Sequence, residues 1–205
     1  MDTIYAFDLM VFEWIQTHLW CKFLDIVMSV VSLTGETGAI WIVFAIVLLF
    51  FKKTRKTGIM MGVALIVMLI VNDNILKPLI ARPRPFDYPG WPGFIYPEIA
   101  FRVPTSFSFP SGHTCAAVAV TTVLLIQDRR LGIPAAVYAF LMCFSRIYLF
   151  DHYCTDVFGG IVLGIIIGIA AYYLVDFIAG LITKRKATKT IVVVEADGST
   201  EIPLE

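Results

Sequence analysis

Phe109-Pro110-Ser111-Gly112-His113-Thr114 decides how this chain is read. It joins a proline-rich stretch to an apolar run, Thr114 to Ile126, and is therefore expected to open a helix. Free backbone N–H groups at a helix start favour an anion, and Gly112 lets a ligand approach the backbone closely. Ser111 has two roles open to it: capping that start, or donating its hydroxyl to a phosphate oxygen. Two more polar stretches flank this one. Lys77 to Pro85 reads KPLIARPRP, and Ser145 to Asp156 reads SRIYLFDHYCTD. Together they bring histidines, arginines, a lysine and a carboxylate beside apolar segments. A bound anion is a physical reason for keeping them there.

Each residue type has a chemical logic. His152 and Asp156 are four apart, so on a helix they share a face. An aspartate in that place fixes the imidazole tautomer and leaves the other nitrogen free to attack. Lys77, Arg84 and Arg146 neutralise oxyanion charge, the arginines in forked geometry. His113 is then left to protonate a leaving oxygen. Singly, each has a plainer explanation. Lys77 alone reads as a snorkelling anchor, Ser111 as a cap, and Asp156 as a charge favoured by the helix dipole. Arg82 falls outside the spacing and reads as a headgroup contact.

Composition sets the environment. Of 205 residues, 59% are hydrophobic and only 16% charged, where soluble domains carry roughly a quarter charged. The chain therefore reads as an integral membrane protein. Sixteen basic and sixteen acidic residues give no net charge, so nothing draws it to nucleic acid. The four cysteines, at 21, 115, 143 and 154, show no metal-ligand spacing and read as small apolar fillers. Asp2 and Asp8 near the start argue against a signal peptide.

The fold class expected is an all-α membrane protein of six transmembrane helices, at about 19–33, 39–51, 58–76, 114–126, 133–149 and 157–182. Residues 1–186 form one domain, and 187–205 a polar cytoplasmic tail with a β-like run at 190–194. Ile4, Phe7, Val11, Ile15 and Leu19 suggest an interfacial amphipathic N-terminal helix, with Trp14 and Trp20 at headgroup depth. Lys22 and Asp25 are spaced to pair, as are Asp73 and Lys77. Thr34 to Gly38 reads as a tight turn, and Pro78 should end the third span. Residues 78–110 hold eight prolines and eight aromatics and read as a long outer loop packed over the site. Gly160, Gly164 and Gly168 repeat every four residues and suit close helix contact. Basic clusters at 52–56, 129–130 and 184–186 fall on one side of a six-span layout, which the positive-inside rule makes cytoplasmic together with both termini. The three polar stretches then share the outer side of the cell membrane.

The pattern K-x6-RP, PSGH, SR-x5-H-x3-D resembles the type 2 phosphatidic-acid phosphatase family, which also includes vanadium haloperoxidases. The positions are Lys77, Arg84 and Pro85; Pro110, Ser111, Gly112 and His113; and Ser145, Arg146, His152 and Asp156. The resemblance implies a membrane phosphatase whose His152 attacks phosphorus to form a phosphohistidine, with Asp156 orienting it. It implies that His113 protonates the leaving group and then activates water. Lys77, Arg84, Ser111, Gly112 and Arg146 would hold the phosphoryl oxygens, with no metal or cofactor. The expected partner is a lipid phosphate, best undecaprenyl pyrophosphate, with phosphatidylglycerophosphate and phosphatidic acid as alternatives. Arg82, Arg102 and Lys77 would meet a second phosphate. A vanadate-dependent oxidase and a lipid-phosphate transporter or flippase are the rival readings.

Overall fold

A computed structural model describes residues 3–87 and 105–196. All regular elements among them are helical. They are α1 (Thr3–His18), α2 (Lys22–Thr34), α3 (Ala39–Phe50), α4 (Arg55–Met68), α5 (Lys77–Ile80), α6 (Gly112–Gln127), α7 (Arg129–Tyr148) and α8 (Cys154–Ala196). A π-helical stretch, Leu69–Leu76, joins α4 to α5 without a break, and a 3-10 turn, Glu36–Gly38, joins α2 to α3. The tight turn expected at 34–38 is present, with Gly38 at a φ of 71°. Of the outer loop expected at 78–110, residues 88–104, Arg102 among them, lie outside the described residues.

The centre of the bundle is α6. Its Cys115, Ala116, Ala117, Ala119, Val120, Val123 and Leu124 are all buried. Small side chains there let three neighbours approach, and α4, α7 and α8 pack around it in one cluster with Met60, Met61, Ala64, Met142 and Ile167. The approach of α8 to α6 follows the glycine stripe. A Cβ at Gly160 would lie 2.8 Å from the Ser111 carbonyl oxygen, one at Gly164 2.8 Å from that of Cys115, and one at Gly168 2.6 Å from that of Ala119. These glycines are where α8 lies against the backbone of α6, as their spacing suggests.

Three described helices are long and apolar enough to cross a membrane: Arg55–Asp87 with its π stretch and α5, Arg129–Tyr148, and Cys154–Arg185. The six separate spans are not reproduced. Helices α2 and α3 have 13 and 12 residues, roughly 20 and 18 Å at 1.5 Å per residue, against a hydrocarbon core of about 30 Å. They meet the test only as a pair, bent by 49°. Helix α6, at 16 residues, is a shorter apolar helix.

Several local expectations are corrected. Pro78 does not end the third span. It sits in the first turn of α5, where its missing N–H is tolerated, and the helix ends instead at Ala81, whose φ is 48°. The segment 190–194 is helical, the end of α8, because the chain simply continues the helix begun at Cys154. Asp25 does not serve Lys22. Its carboxylate accepts from Trp20 Nε1 at 3.0 Å and from the Tyr148 hydroxyl at 2.7 Å. Asp73 does pair with Lys77, at 2.7 Å.

The largest correction concerns α1. Its buried residues are Tyr5, Asp8, Phe12 and Ile15, a face one position away from the stripe read as apolar. Phe12 and Tyr5 pack on Phe150 and Tyr153, the turn that carries His152. The N-terminal helix therefore lies at the same end of the bundle as the polar stretches, not at the opposite end. The opposite end is marked by the Lys56–Asp176 ion pair and by Gln127, which donates to Met60 Sδ. There the 52–56 cluster, the start of α7 and the second half of α8 come together.

Candidate active site

The three motifs converge. Helix α6 begins at Gly112, with Ser111 as the residue before it. Lys77 arrives from the start of α5, just after the π stretch, Arg84 from the segment after α5, Arg146 from the end of α7, and His152 from the turn between α7 and α8. A Cβ added at Gly112 would lie 3.1 Å from Asp73 Oδ1, 3.2 Å from Lys77 Nζ and 3.4 Å from Asn72 Nδ2. The glycine thus keeps Lys77 against the start of α6.

Ser111 is fully buried, makes no side-chain cap bond, and its Oγ has no hydrogen-bond partner. A buried hydroxyl without a partner carries a desolvation cost that a ligand oxygen would relieve. Of its two possible roles, the structure disfavours capping. The His113 Nε2 is likewise buried without a hydrogen bond, and the nearest carboxylate oxygen, Glu36 Oε2, is 3.8 Å away.

His152 is 1% exposed. Its Nε2 lies 3.3 Å from Arg84 Nη1. A guanidinium has no lone pair, so Nε2 must be the accepting nitrogen and the proton of the neutral ring sits on Nδ1. That nitrogen lies 3.5 Å from Asp156 Oδ2 and makes no hydrogen bond in this structure. Burial, and then the charges of Arg84, Arg146 and Lys77, push the imidazole well below its usual range, toward the neutral form. The cations are held in turn. Arg84 also donates to the backbone oxygens of Ser106 and Asp151, both at 2.7 Å, and to Ser106 Oγ at 3.1 Å. Arg146 pairs with Asp151 Oδ2 at 2.6 Å and with Ser32 Oγ, while its Nε has no partner.

His152 and Asp156 do not share a helix face, because α8 starts only at Cys154. They meet because the turn folds back. Asp156, in the first turn, accepts the Tyr153 N–H at Oδ2, 2.9 Å, as the third residue of a capping box reaches back to its cap. Ser108 Oγ donates to the same oxygen. Arg82, expected at the headgroups, is instead inside: Nη1 reaches Asp156 Oδ1 at 2.5 Å and Nη2 reaches Asp8 Oδ2 at 2.9 Å. Spacing missed Asp8, Arg82, Ser108 and Asp151. Asp8 alone carried a local signal, as an acidic residue on a helix otherwise largely apolar.

These features define a helical membrane protein with an anion cradle built from fixed cations, a partnerless hydroxyl and a buried neutral imidazole. The chain belongs to the PAP2 superfamily, whose model matches residues 57–179. It is 31% identical over 126 residues to an undecaprenyl-diphosphatase of Sulfolobus acidocaldarius, a match spanning 61% of this chain and 58% of that protein. It is 29% identical over 157 residues to undecaprenyl-diphosphatase BcrC of Bacillus subtilis, covering 76% of this chain and 77% of that protein. Its fold is similar to the crystal structure of a transmembrane PAP2-type phosphatidylglycerolphosphate phosphatase from Bacillus subtilis, with a TM-score of 0.58 and 24% identity over 88% of this chain and 96% of that chain.

Proposed function

We propose that the protein is a lipid phosphatase working through a phosphohistidine. The observation that carries this is the tautomer forced on His152, with a lone pair on Nε2 beside Arg84 and a proton on Nδ1 facing Asp156. Nε2 attacks phosphorus, and Asp156 stabilises the positive charge the ring acquires. Lys77, Arg84, Arg146, the Ser111 hydroxyl and the backbone at Gly112 bind the three transferring oxygens. His113 protonates the departing oxygen and then takes a proton from the water that cleaves the phosphoenzyme. Fixed cations fill the charge-neutralising role, so the mechanism calls for no metal.

The substrate that best fits is undecaprenyl pyrophosphate, as the names of the two relatives suggest. The site itself supports this less than the sequence did, because Arg82 is held between two carboxylates and is not free for a second phosphate. The site faces outward, and the basic clusters at the other end lie in the cytoplasm. The chain crosses the membrane five times: the α2–α3 pair once, then α4 to α5, α6, α7 and α8. Helix α1 lies in the outer interface, where Ile4, Phe7, Met10 and Trp14 are exposed.

Phosphate release by purified protein in matched mixed micelles tests the reading. Undecaprenyl pyrophosphate, phosphatidylglycerophosphate and phosphatidic acid are compared by kcat/KM. Undecaprenyl pyrophosphate is expected to lead, and His152→Ala to abolish turnover. A tenfold preference for another lipid overturns the substrate, and a His152→Ala protein at near-normal rate overturns the mechanism.

A further inference from the structure

Arg82 and Asp8 have no place in the mechanism above, yet they form one of the most completely bonded polar clusters in the protein. Asp8 is 0% exposed. Its carboxylate accepts the Thr155 N–H at 3.0 Å, the Thr155 hydroxyl at 2.7 Å and Arg82 Nη2 at 2.9 Å. Thr155 is the second residue of α8, so Asp8 satisfies one of the donors left open at the start of that helix. It does so from another helix. Arg82 then forks: Nη2 to Asp8, Nη1 to Asp156 and to Thr155 Oγ1 at 2.8 Å. Its guanidinium carbon stands 3.9 Å from the centre of the Tyr153 ring, a desolvated cation–π contact. The Arg82 carbonyl accepts the Ser108 N–H at 2.9 Å, and Ser108 is the residue whose hydroxyl holds the other oxygen of Asp156.

We propose that Arg82 and Asp8 are positioning residues for Asp156, which makes α1 part of the catalytic apparatus; the proposal rests on the phosphohistidine reading. Asp156 Oδ2 is taken by Ser108 and Tyr153 and faces His152, while Oδ1 is taken by Arg82. The carboxylate therefore cannot rotate about its last bond without breaking the Arg82 bond. Arg82 is fixed in turn by Asp8, and Asp8 by the packing of Phe12 and Tyr5 on Phe150 and Tyr153. Charge points the same way. With both carboxylates ionised, Asp8, Arg82 and Asp156 together carry one net negative charge, which offsets part of the opposition that Arg84, Arg146 and Lys77 present to an imidazole turning cationic as it attacks phosphorus. Arg82 bonds the Asp156 oxygen other than the one facing His152, and its second nitrogen is taken by Asp8, so it supports the carboxylate and is not assigned to the phosphoryl group.

The test uses full-length protein in detergent and phosphate release from undecaprenyl pyrophosphate. Arg82→Gln should lower kcat about 10- to 100-fold, the usual range for partners standing behind an active group, with KM within about twofold. Arg82→Lys keeps the charge but reaches only one carboxylate, so its kcat should fall between. Asp8→Asn keeps an oxygen for Thr155 and nearly the same shape, so it serves if Arg82→Gln does not fold, and should lower kcat about tenfold. The decisive measurement is made in an Asp156→Asn background. There Arg82→Gln should add less than about a threefold loss, because its effect passes through that carboxylate. A full additional loss, a raised KM with unchanged kcat, or unchanged kcat in both Arg82→Gln and Asp8→Asn overturns the proposal. Wild-type protein that releases no phosphate, or His152→Ala protein that does, refutes the phosphohistidine reading itself.

Discussion

Replacing Gly160 with alanine tests whether the cradle is held by helix packing. The new Cβ would lie 2.8 Å from the Ser111 carbonyl oxygen and 3.1 Å from Thr114 Cβ, about 0.6 Å inside ordinary contact. Neither neighbour is the end of a flexible chain, so α6 and α8 must part at the level of Ser111. Overpacking of this kind costs about 1–3 kcal/mol in stability. Misplacing a reacting group by 1 Å costs on the order of a hundredfold in rate, so a shift of this size should cost on the order of tenfold in kcat/KM. Gly168→Ala is the control. It makes a closer contact, 2.6 Å to the Ala119 carbonyl oxygen and 2.7 Å to Thr122 Cβ, but eight residues further along α8, roughly 12 Å from Gly160. Thermal unfolding in detergent should show at least as large a loss for Gly168→Ala, while phosphate release should drop about tenfold only for Gly160→Ala. Equal rate losses, or a Gly160→Ala protein with lowered Tm and full kcat/KM, would refute the view that this stripe sets the position of Ser111.

Ser111→Ala should lower kcat/KM about tenfold with Tm unchanged or raised, since its hydroxyl caps nothing and lacks a partner; a clear drop in Tm would return it to a structural role. Burial and neighbouring cations hold His152 neutral in the folded protein, so the acid limb of kcat/KM due to this group should lie below about pH 6.5, its ordinary value. Arg84→Gln removes the largest of the charge effects and should move that limb up toward 6.5, whatever the remaining rate. The same shift makes folding lose stability as pH falls below about 6.5, because the unfolded chain takes up that proton first, and Tm measured against pH reads this directly. Activity should persist in excess EDTA and be inhibited by vanadate, because Lys77, Arg84 and Arg146 do the charge work; loss in EDTA restored by magnesium would count against that assignment.

Lys77, Arg84, Ser111, Gly112, His113, Arg146, His152 and Asp156 could be read as a group because each motif is local and the three together resemble one family's pattern, and the structure brings them to one end of the bundle. Their supports could not be read this way. Asp8 and Arg82 are 74 residues apart, and Ser108 and Asp156 are 48 apart, distances at which no periodicity operates. The packed face of α1, and the end of the bundle at which it docks, were not legible for a different reason. In a membrane, apolar side chains face lipid as readily as protein, so Ile4 and Phe7 mark the exposed side while Asp8 marks the packed one. The apolar runs read at 114–126, 133–149 and 157–182 fall on helices α6, α7 and α8, of which α7 and α8 are long enough to cross a membrane. The stretch from 19 to 51 reads as two spans because the tight turn at 34–38 separates two apolar runs. It is a bend within a pair that satisfies the length test only together.

The π-helical stretch Leu69–Leu76 acts as slack in the rod. Each residue of an α-helix turns the next by about 100°, and a wider π turn takes up one additional residue without breaking the rod. The Lys77 N–H donates to the Asn72 carbonyl, five residues back, and the stretch delivers Asn72, Asp73 and Lys77 to Gly112 on one side. Removing any single residue from 69–76 would let the rod relax into uninterrupted α-helix at little energetic cost. Because the π turn only absorbs that additional residue, Lys77 through Arg84 would still arrive nearly in phase. A deletion in the α-helical part of α4 has no such slack, and would turn the lysine about 100° away from Gly112.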